Sequence, residues 1–128
     1  MARILYVECC PFRAHLVPKL LEQKGHTVQI ANCAERAMML IKDKGNYEVL
    51  LLLLYLPGMD GAELCRWMDK WSATKGVLKV AFTCPGSCVP PDLARSLPHW
   101  LPVDRFIDGL ERVEDLVKAV EEVLSSRS

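Results

Sequence analysis

The hydrophobic residues of this chain follow two patterns, short runs of strand length and longer segments with helical spacing. Five short segments predict β-strands because each is rich in apolar residues and is bounded by residues that favour turns. The richest one places five consecutive leucines before the turn sequence Pro-Gly-Met-Asp-Gly. The five predicted strands are Arg3–Glu8, Thr27–Ala31, the leucine run that follows Tyr47, Val77–Thr83 and Val103–Ile107.

Helical patterns separate these strands. In the third, Leu64, Trp67, Met68 and Trp71 recur at the spacing of one helix face, and Asp60 with Glu63 predicts a capping box at its start. Pro18 lies inside the first pattern and should kink that helix or remove a hydrogen bond. The predicted helices are Pro11–Gly25, Cys33–Lys44, a segment after Asp60, a short Pro91–Leu97 and Val113–Leu124.

This alternation of strand and helix, repeated five times, predicts the fold class. A strand–helix repeat implies a parallel sheet with helices on both faces, and strands buried on both sides are continuously apolar. The leucine run then needs no special role, because it fits the middle strand of such a sheet. The length of 128 residues is that of one domain, spanning residues 1–128.

Composition and charge exclude several functions. Sixteen basic side chains balance sixteen acidic ones, which argues against a nucleic-acid partner. The longest apolar run, Val49–Pro57, is far shorter than the roughly 18 residues that span a bilayer, and the N-terminus lacks a signal-peptide pattern. We therefore expect a cytoplasmic protein without a membrane partner, whose six cysteines are thiols rather than disulfides.

The order of the elements, the opening "ILYVE", the turn "LPGMDG" after the third strand and the threonine that ends the fourth strand resemble the receiver domain of two-component response regulators. The resemblance extends over nearly the whole chain. It implies a flavodoxin-like (βα)5 fold, with a doubly wound parallel sheet of strand order 2-1-3-4-5 and a site at the C-terminal ends of the strands.

The resemblance also identifies the positions of the family's phosphorylation site, and most of them are altered. Leu53, at the phosphoacceptor position, has no nucleophilic oxygen, and the thiol of Cys9 suits Mg²⁺ poorly. The lysine position is a glycine, so the positive charge is lost. The acidic pair, the acceptor, the hydroxyl and the lysine fall on Glu8 and Cys9, Leu53, Thr83 and Gly109.

No neighbouring acid restores the site. Glu48 lies at the opposite end of its strand, and Asp60 is best explained as a helix N-cap. The sequence thus predicts a pseudo-receiver that is not an enzyme, has no catalytic residue and takes neither a metal nor a cofactor.

The expected function is signalling through protein–protein contact. In the family, partners meet the face formed by the fourth helix, fifth strand and fifth helix. Thr83 and Phe106 occupy the positions that couple phosphorylation to this face. A signalling protein is the expected partner, and a homodimer is left open.

Four cysteines suggest an alternative function. Cys9, Cys10, Cys84 and Cys88 follow strands one and four, so they belong to one rim of the sheet and could form a redox or soft-metal sensor. Only Cys10 and Cys88 lie in loops that could approach each other. Packing is the simpler role, because the spacing matches no standard zinc or thioredoxin motif. A nucleotide-binding enzyme is disfavoured, since "ECCPFR" replaces a glycine-rich phosphate loop.

Overall fold

A computed structural model describes residues 2–56, 61–71, 76–84 and 102–127. Strands and helices alternate along most of the chain. The strands are β1 (Arg3–Val7), β2 (Thr27–Ala31), β3 (Val49–Leu53), β4 (Leu78–Phe82) and β5 (Arg105–Ile107). The helices are α1 (Pro11–Gln23), α2 (Ala34–Lys44), α3 (Gly61–Lys70) and the closing helix α4 (Glu114–Arg127).

The five strands form one parallel sheet in the order β2-β1-β3-β4-β5, which confirms the predicted flavodoxin-like topology. The register places Val7 beside Leu52, Leu53 beside Phe82, and Phe82 beside Ile107. The C-terminal ends of β1, β3, β4 and β5 therefore lie level with one another. The predicted helix Pro91–Leu97 and the predicted cap Asp60 lie outside the described residues.

The leucine run is the centre of the core, as predicted. All five residues of β3 are buried, although alternate side chains of a strand point to opposite faces. Helices must therefore cover both faces of the sheet. Contacts join α1 to the closing helix α4 and α2 to α3, as in a doubly wound fold. None of the helices in the described segments has the length and apolar character needed to cross a bilayer.

Several element boundaries differ from the sequence prediction for identifiable reasons. β5 begins at Arg105 rather than Val103, and Asp104 just before it bonds Lys79 twice, its N–H donating to the Lys79 carbonyl and its carboxylate accepting from the Lys79 N–H, each at 2.8 Å. α1 continues through the buried Pro18 and lacks one backbone hydrogen bond there. Trp67 and Trp71, expected in the core, lie half-buried at its edge with ring centroids 5.1 Å apart.

A buried histidine joins three distant parts of the chain. The ring Nδ1 of His26 accepts a hydrogen bond from the Ala2 N–H at 3.1 Å, and Nε2 lies 3.2 Å from Oε1 of Glu121. Since Nδ1 is an acceptor, the neutral ring carries its proton on Nε2 and can donate it to Glu121. His26 thus connects the residue before β1 to the closing helix α4.

Gly61 provides a test of this packing. Its N–H donates to the Leu54 carbonyl at 2.6 Å, and a Cβ there would lie 2.8 Å from Cδ1 of Leu52 and 2.9 Å from the Leu54 oxygen. We expect Gly61→Ala to lower the free energy of unfolding by about 1–3 kcal/mol through overpacking, although alanine favours helices. Urea unfolding measures it, with the exposed Asp69→Ala of the same helix as control. A Gly61→Ala protein as stable as the wild type would contradict the close contact.

Candidate functional site

The predicted site positions come together at the C-terminal edge of the sheet. Glu8 follows Val7, Leu53 ends β3, and Thr83 follows Phe82, and the register aligns these strand ends. Glu8 and Leu53 each follow a member of the Val7–Leu52 pair, so they are neighbours across adjacent strands. These positions therefore share one edge of the sheet, and the chemistry of that edge depends on what surrounds Glu8.

Glu8 is the buried acid of this edge, with 1% of its surface exposed. Oε1 accepts hydrogen bonds from the hydroxyl of Tyr6 at 2.6 Å and from Nε of Arg13 at 2.7 Å. Oε2 accepts from the N–H groups of Cys9 and Cys10 at 3.1 and 3.2 Å, and from Nη2 of Arg13 at 3.2 Å. Because a carboxylate offers about four lone-pair positions, these contacts occupy its acceptor capacity.

Arg13 supplies a positive charge beside the Glu8 carboxylate. It lies in the first turn of α1, five residues after Glu8, and meets the carboxylate with two nitrogen atoms. The hydrogen bonds to Glu8 raise the pKa of the guanidinium further above its usual value. Its Cζ also lies 5.9 Å from the centre of the Phe82 ring, a distance typical of a cation–π contact. Since β3 lies between β1 and β4, the guanidinium spans the end of β3.

Tyr6 of β1 is the third residue whose side chain is part of the cluster of Glu8, Arg13 and Tyr6. Its side chain is fully buried, and burial together with the negative charge of Glu8 raises the pKa of the phenol far above its ordinary value. The hydroxyl therefore remains a proton donor to the carboxylate. Sequence reasoning missed both Tyr6 and Arg13. The available signal was an arginine five residues after the acid, in the first turn of the helix that follows β1.

Leu53, at the position that the resemblance assigns to the phosphoacceptor, has an apolar side chain that is 4% exposed. It lies at the end of β3, beside Phe82 of β4. A leucine side chain cannot attack a phosphoryl group because it has no lone pair to donate. At this position the edge of the sheet thus contributes packing and no reactive oxygen.

The hydroxyl of Thr83 is engaged on both sides. It donates to Oδ1 of Asp108 at 3.0 Å and accepts from the Gly109 N–H at 2.7 Å. Gly109, which the resemblance aligns with the family's lysine, has φ of +76°, in the left-handed region that favours glycine. The loop after β5 therefore offers a backbone N–H to Thr83 from the residue where the resemblance implies a side-chain cation.

Two thiols near this edge have raised pKa values. Cys9 is exposed, yet partial desolvation by neighbouring atoms and the Glu8 carboxylate raise the pKa of its thiol. Partial burial raises the pKa of the Cys84 thiol as well. In the described segments, no group of three or more His, Cys, Asp and Glu residues could hold a metal ion. Cys88 lies outside the described residues, and so does the predicted Cys10–Cys88 approach.

Part of the predicted partner face is described. Phe106 is half-buried and packs against the core, and Nη1 of Arg105 forms an ion pair with Oε2 of Glu122 at 2.7 Å. This ion pair joins β5 to the closing helix α4 on the exposed side. The Pro-rich segment expected to complete the face lies outside the described residues.

Sequence comparisons identify related proteins in bacterial signalling. The chain is 32% identical to the sensor histidine kinase AruS of Pseudomonas aeruginosa over 96% of its length, but covers 12% of that protein. It is 38% identical to the transcriptional regulatory protein TcrA of Mycobacterium tuberculosis over 49% of the chain and 24% of that protein. The chain thus spans a quarter or less of these relatives. No protein-family model matches it.

Solved structures share the fold over nearly the whole chain. The signal receiver domain of a signal transduction histidine kinase from Syntrophus aciditrophicus has a TM-score of 0.82 at 25% identity, covering 98% of this chain and 92% of that one. The chemotaxis response regulator CheY4 of Vibrio cholerae has a TM-score of 0.79 at 20% identity, covering 96% and 98%. The second likeness concerns the fold alone, whereas the first extends to sequence.

Restoring an acid at position 53 should harm the protein. Arg13 is already bound to Glu8, so the carboxylate of Leu53→Asp would share this one cation with a second buried acid, and its pKa should rise. We expect a loss of several kcal/mol in the free energy of unfolding at neutral pH, beyond that of the matched Leu53→Asn. A raised folded pKa makes the deficit smallest in acid and larger as the pH rises above about 4. Unfolding curves for both variants between acidic and neutral pH measure this difference in the free energy of unfolding. Equal stability of Leu53→Asp and Leu53→Asn at neutral pH would contradict the prediction and indicate that the site is hydrated and tolerates a charge.

The cysteine chemistry gives a second test. Because the raised pKa lowers the thiolate fraction of Cys9, iodoacetamide should alkylate it more slowly at neutral pH than it alkylates a free cysteine peptide. The rate should increase steeply as the pH rises. Peptide mapping after timed alkylation gives the rate, with Cys9→Ser confirming the assignment. Rapid alkylation at neutral pH would favour the redox alternative.

Proposed function

Since the chain belongs to the receiver-domain family of response regulators, we propose that it is a pseudo-receiver, which signals by protein–protein contact without being phosphorylated. The single observation that carries the proposal is the buried side chain of Leu53 at the phosphoacceptor position. The domain is then a binding module in the cytoplasm rather than an enzyme.

The surroundings of Thr83 support this function. In a phosphorylated receiver the hydroxyl at this position must be available to the phosphoryl group, as the resemblance implies. Here it is held by Asp108 and by the N–H of Gly109. Both contacts come from the loop after β5, so they join the end of β4 directly to the strand that carries Phe106. This connection needs no phosphoryl group to persist, which favours a partner face with one lasting arrangement.

The proposed partner is a signalling protein that meets the face containing β5 and the closing helix α4. The described part of this face presents both charges of the Arg105–Glu122 ion pair, which are 48% and 39% exposed. A partner of complementary charge could compete for either side chain. A second copy of the chain is an alternative occupant, because an ion pair of this kind can exchange between two identical faces.

Phosphoryl donors should leave the protein unmodified. Incubation with acetyl phosphate and Mg²⁺ should give no mass increase in intact mass spectrometry, because Leu53 has no attacking oxygen. A receiver domain with aspartate at the acceptor position is the positive control. A stoichiometric phosphoryl adduct would contradict the pseudo-receiver function.

Partner binding is the second arm of the same experiment. A partner recovered with the wild type should bind equally with and without the phosphoryl donor. It should bind Leu53→Met equally well, since that change preserves apolar volume, and bind Glu122→Lys at least tenfold more weakly if it meets the proposed face. Binding that requires the donor would contradict a phosphorylation-independent function.

A further inference from the structure

The residues around Glu8 do not fit a divalent cation. Mg²⁺ requires open oxygen ligands in near-octahedral geometry, usually with carboxylates facing it directly. Both oxygens of Glu8 are occupied by five nitrogen and hydroxyl donors at 2.6–3.2 Å. Its neighbour Cys9 offers sulfur, a soft ligand that suits Mg²⁺ poorly. The residues around Glu8 therefore do not meet the ligand requirement of the divalent cation that the family's site binds.

We propose that Arg13 is a built-in cation, which replaces the divalent ion at this edge of the sheet and keeps the domain insensitive to Mg²⁺. Its guanidinium binds Glu8 with two nitrogen atoms and contacts the face of Phe82, so one positive group joins β1, α1 and β4. This role of Arg13 deepens the proposed function. It rests on the proposed function only because it places Glu8 at the family's cation-binding position.

The geometry favours a fixed charge over an incidental ion pair. Glu8 is fully buried as a side chain and Arg13 is 20% exposed, whereas the ion pairs Arg105–Glu122 and Arg112–Glu114 lie at the surface. Exposed pairs are weak, but removing one partner of a buried pair leaves an uncompensated charge. The planar guanidinium also fits a carboxylate with two parallel hydrogen bonds, which a lysine ammonium cannot reproduce.

The first experiment measures cation binding by the unmodified chain. Mn²⁺, a spectroscopic substitute for Mg²⁺, should remain free when the wild-type protein is added, as read from its electron paramagnetic resonance signal. Millimolar Mg²⁺ should leave the melting temperature unchanged. Stoichiometric binding of Mn²⁺ by the wild type would overturn the inference. No phosphoryl donor is present, so this outcome is independent of the phosphorylation test.

The second experiment measures the coupling between the two side chains. Arg13→Gln should lower the Tm by on the order of 10 °C, because it leaves the Glu8 carboxylate buried without a cation. Glu8→Gln in the same chain should restore part of that loss, so the double variant is more stable than the sum of the single changes predicts. The exposed Arg105→Gln is the matched control and should shift the Tm by about 2 °C or less.

Two further variants keep the inference testable if Arg13→Gln does not fold. Arg13→Lys retains the charge and should fall between the wild type and Arg13→Gln, as expected when both charge and fork geometry contribute. Arg13→Ala leaves space for a soluble cation, so methylguanidinium below denaturing concentration should raise its Tm, whereas methylammonium at equal ionic strength should raise it less. Additive single and double variants, or an Arg13→Gln protein as stable as the Arg105→Gln control, would overturn the inference.

Discussion

A carboxylate buried at the C-terminal edge of a sheet requires compensation, and this requirement organises the described site. An ionised acid removed from water without partners is too unfavourable for a domain of marginal stability. Receivers with the family's full site compensate their acids with a divalent ion and a lysine, as the resemblance implies. In this chain Arg13, Tyr6 and two backbone N–H groups provide it from within the protein.

As a consequence, contacts at this edge of the sheet hold several elements of the fold together. Arg13 joins α1 to the ends of β1 and β4, while Thr83 and Gly109 join β4 to the loop after β5. Between these contacts, Leu53 adds an apolar side chain to a core that already contains the rest of β3. An edge held in this way is suited to keeping one surface in one arrangement, which is what a constitutive binding module needs.

Much of the fold was accessible from sequence because hydrophobic periodicity reports burial directly. The continuous leucine run identified a strand buried on both faces, and Gly45 ended α2 in the left-handed conformation that glycine permits. Boundaries were less accurate, since the start of β5 depends on how Asp104 meets Lys79, and these two residues are 25 positions apart. Trp67 and Trp71 were placed too deep, because helical spacing shows which face points inward but not how far that face is covered.

The sequence by itself determined that Leu53 offers no attacking oxygen and Gly109 no side-chain cation, because a missing oxygen or amine is a property of the residue alone. It could not determine what Glu8 would do, because a carboxylate can bind a metal, a proton or a cation according to its neighbours. Only the tertiary structure decided this, by directing Arg13 from the first turn of α1 back over the end of β3. Side-chain identity limits what a site can do, whereas the meeting of side chains in space selects among the options that remain.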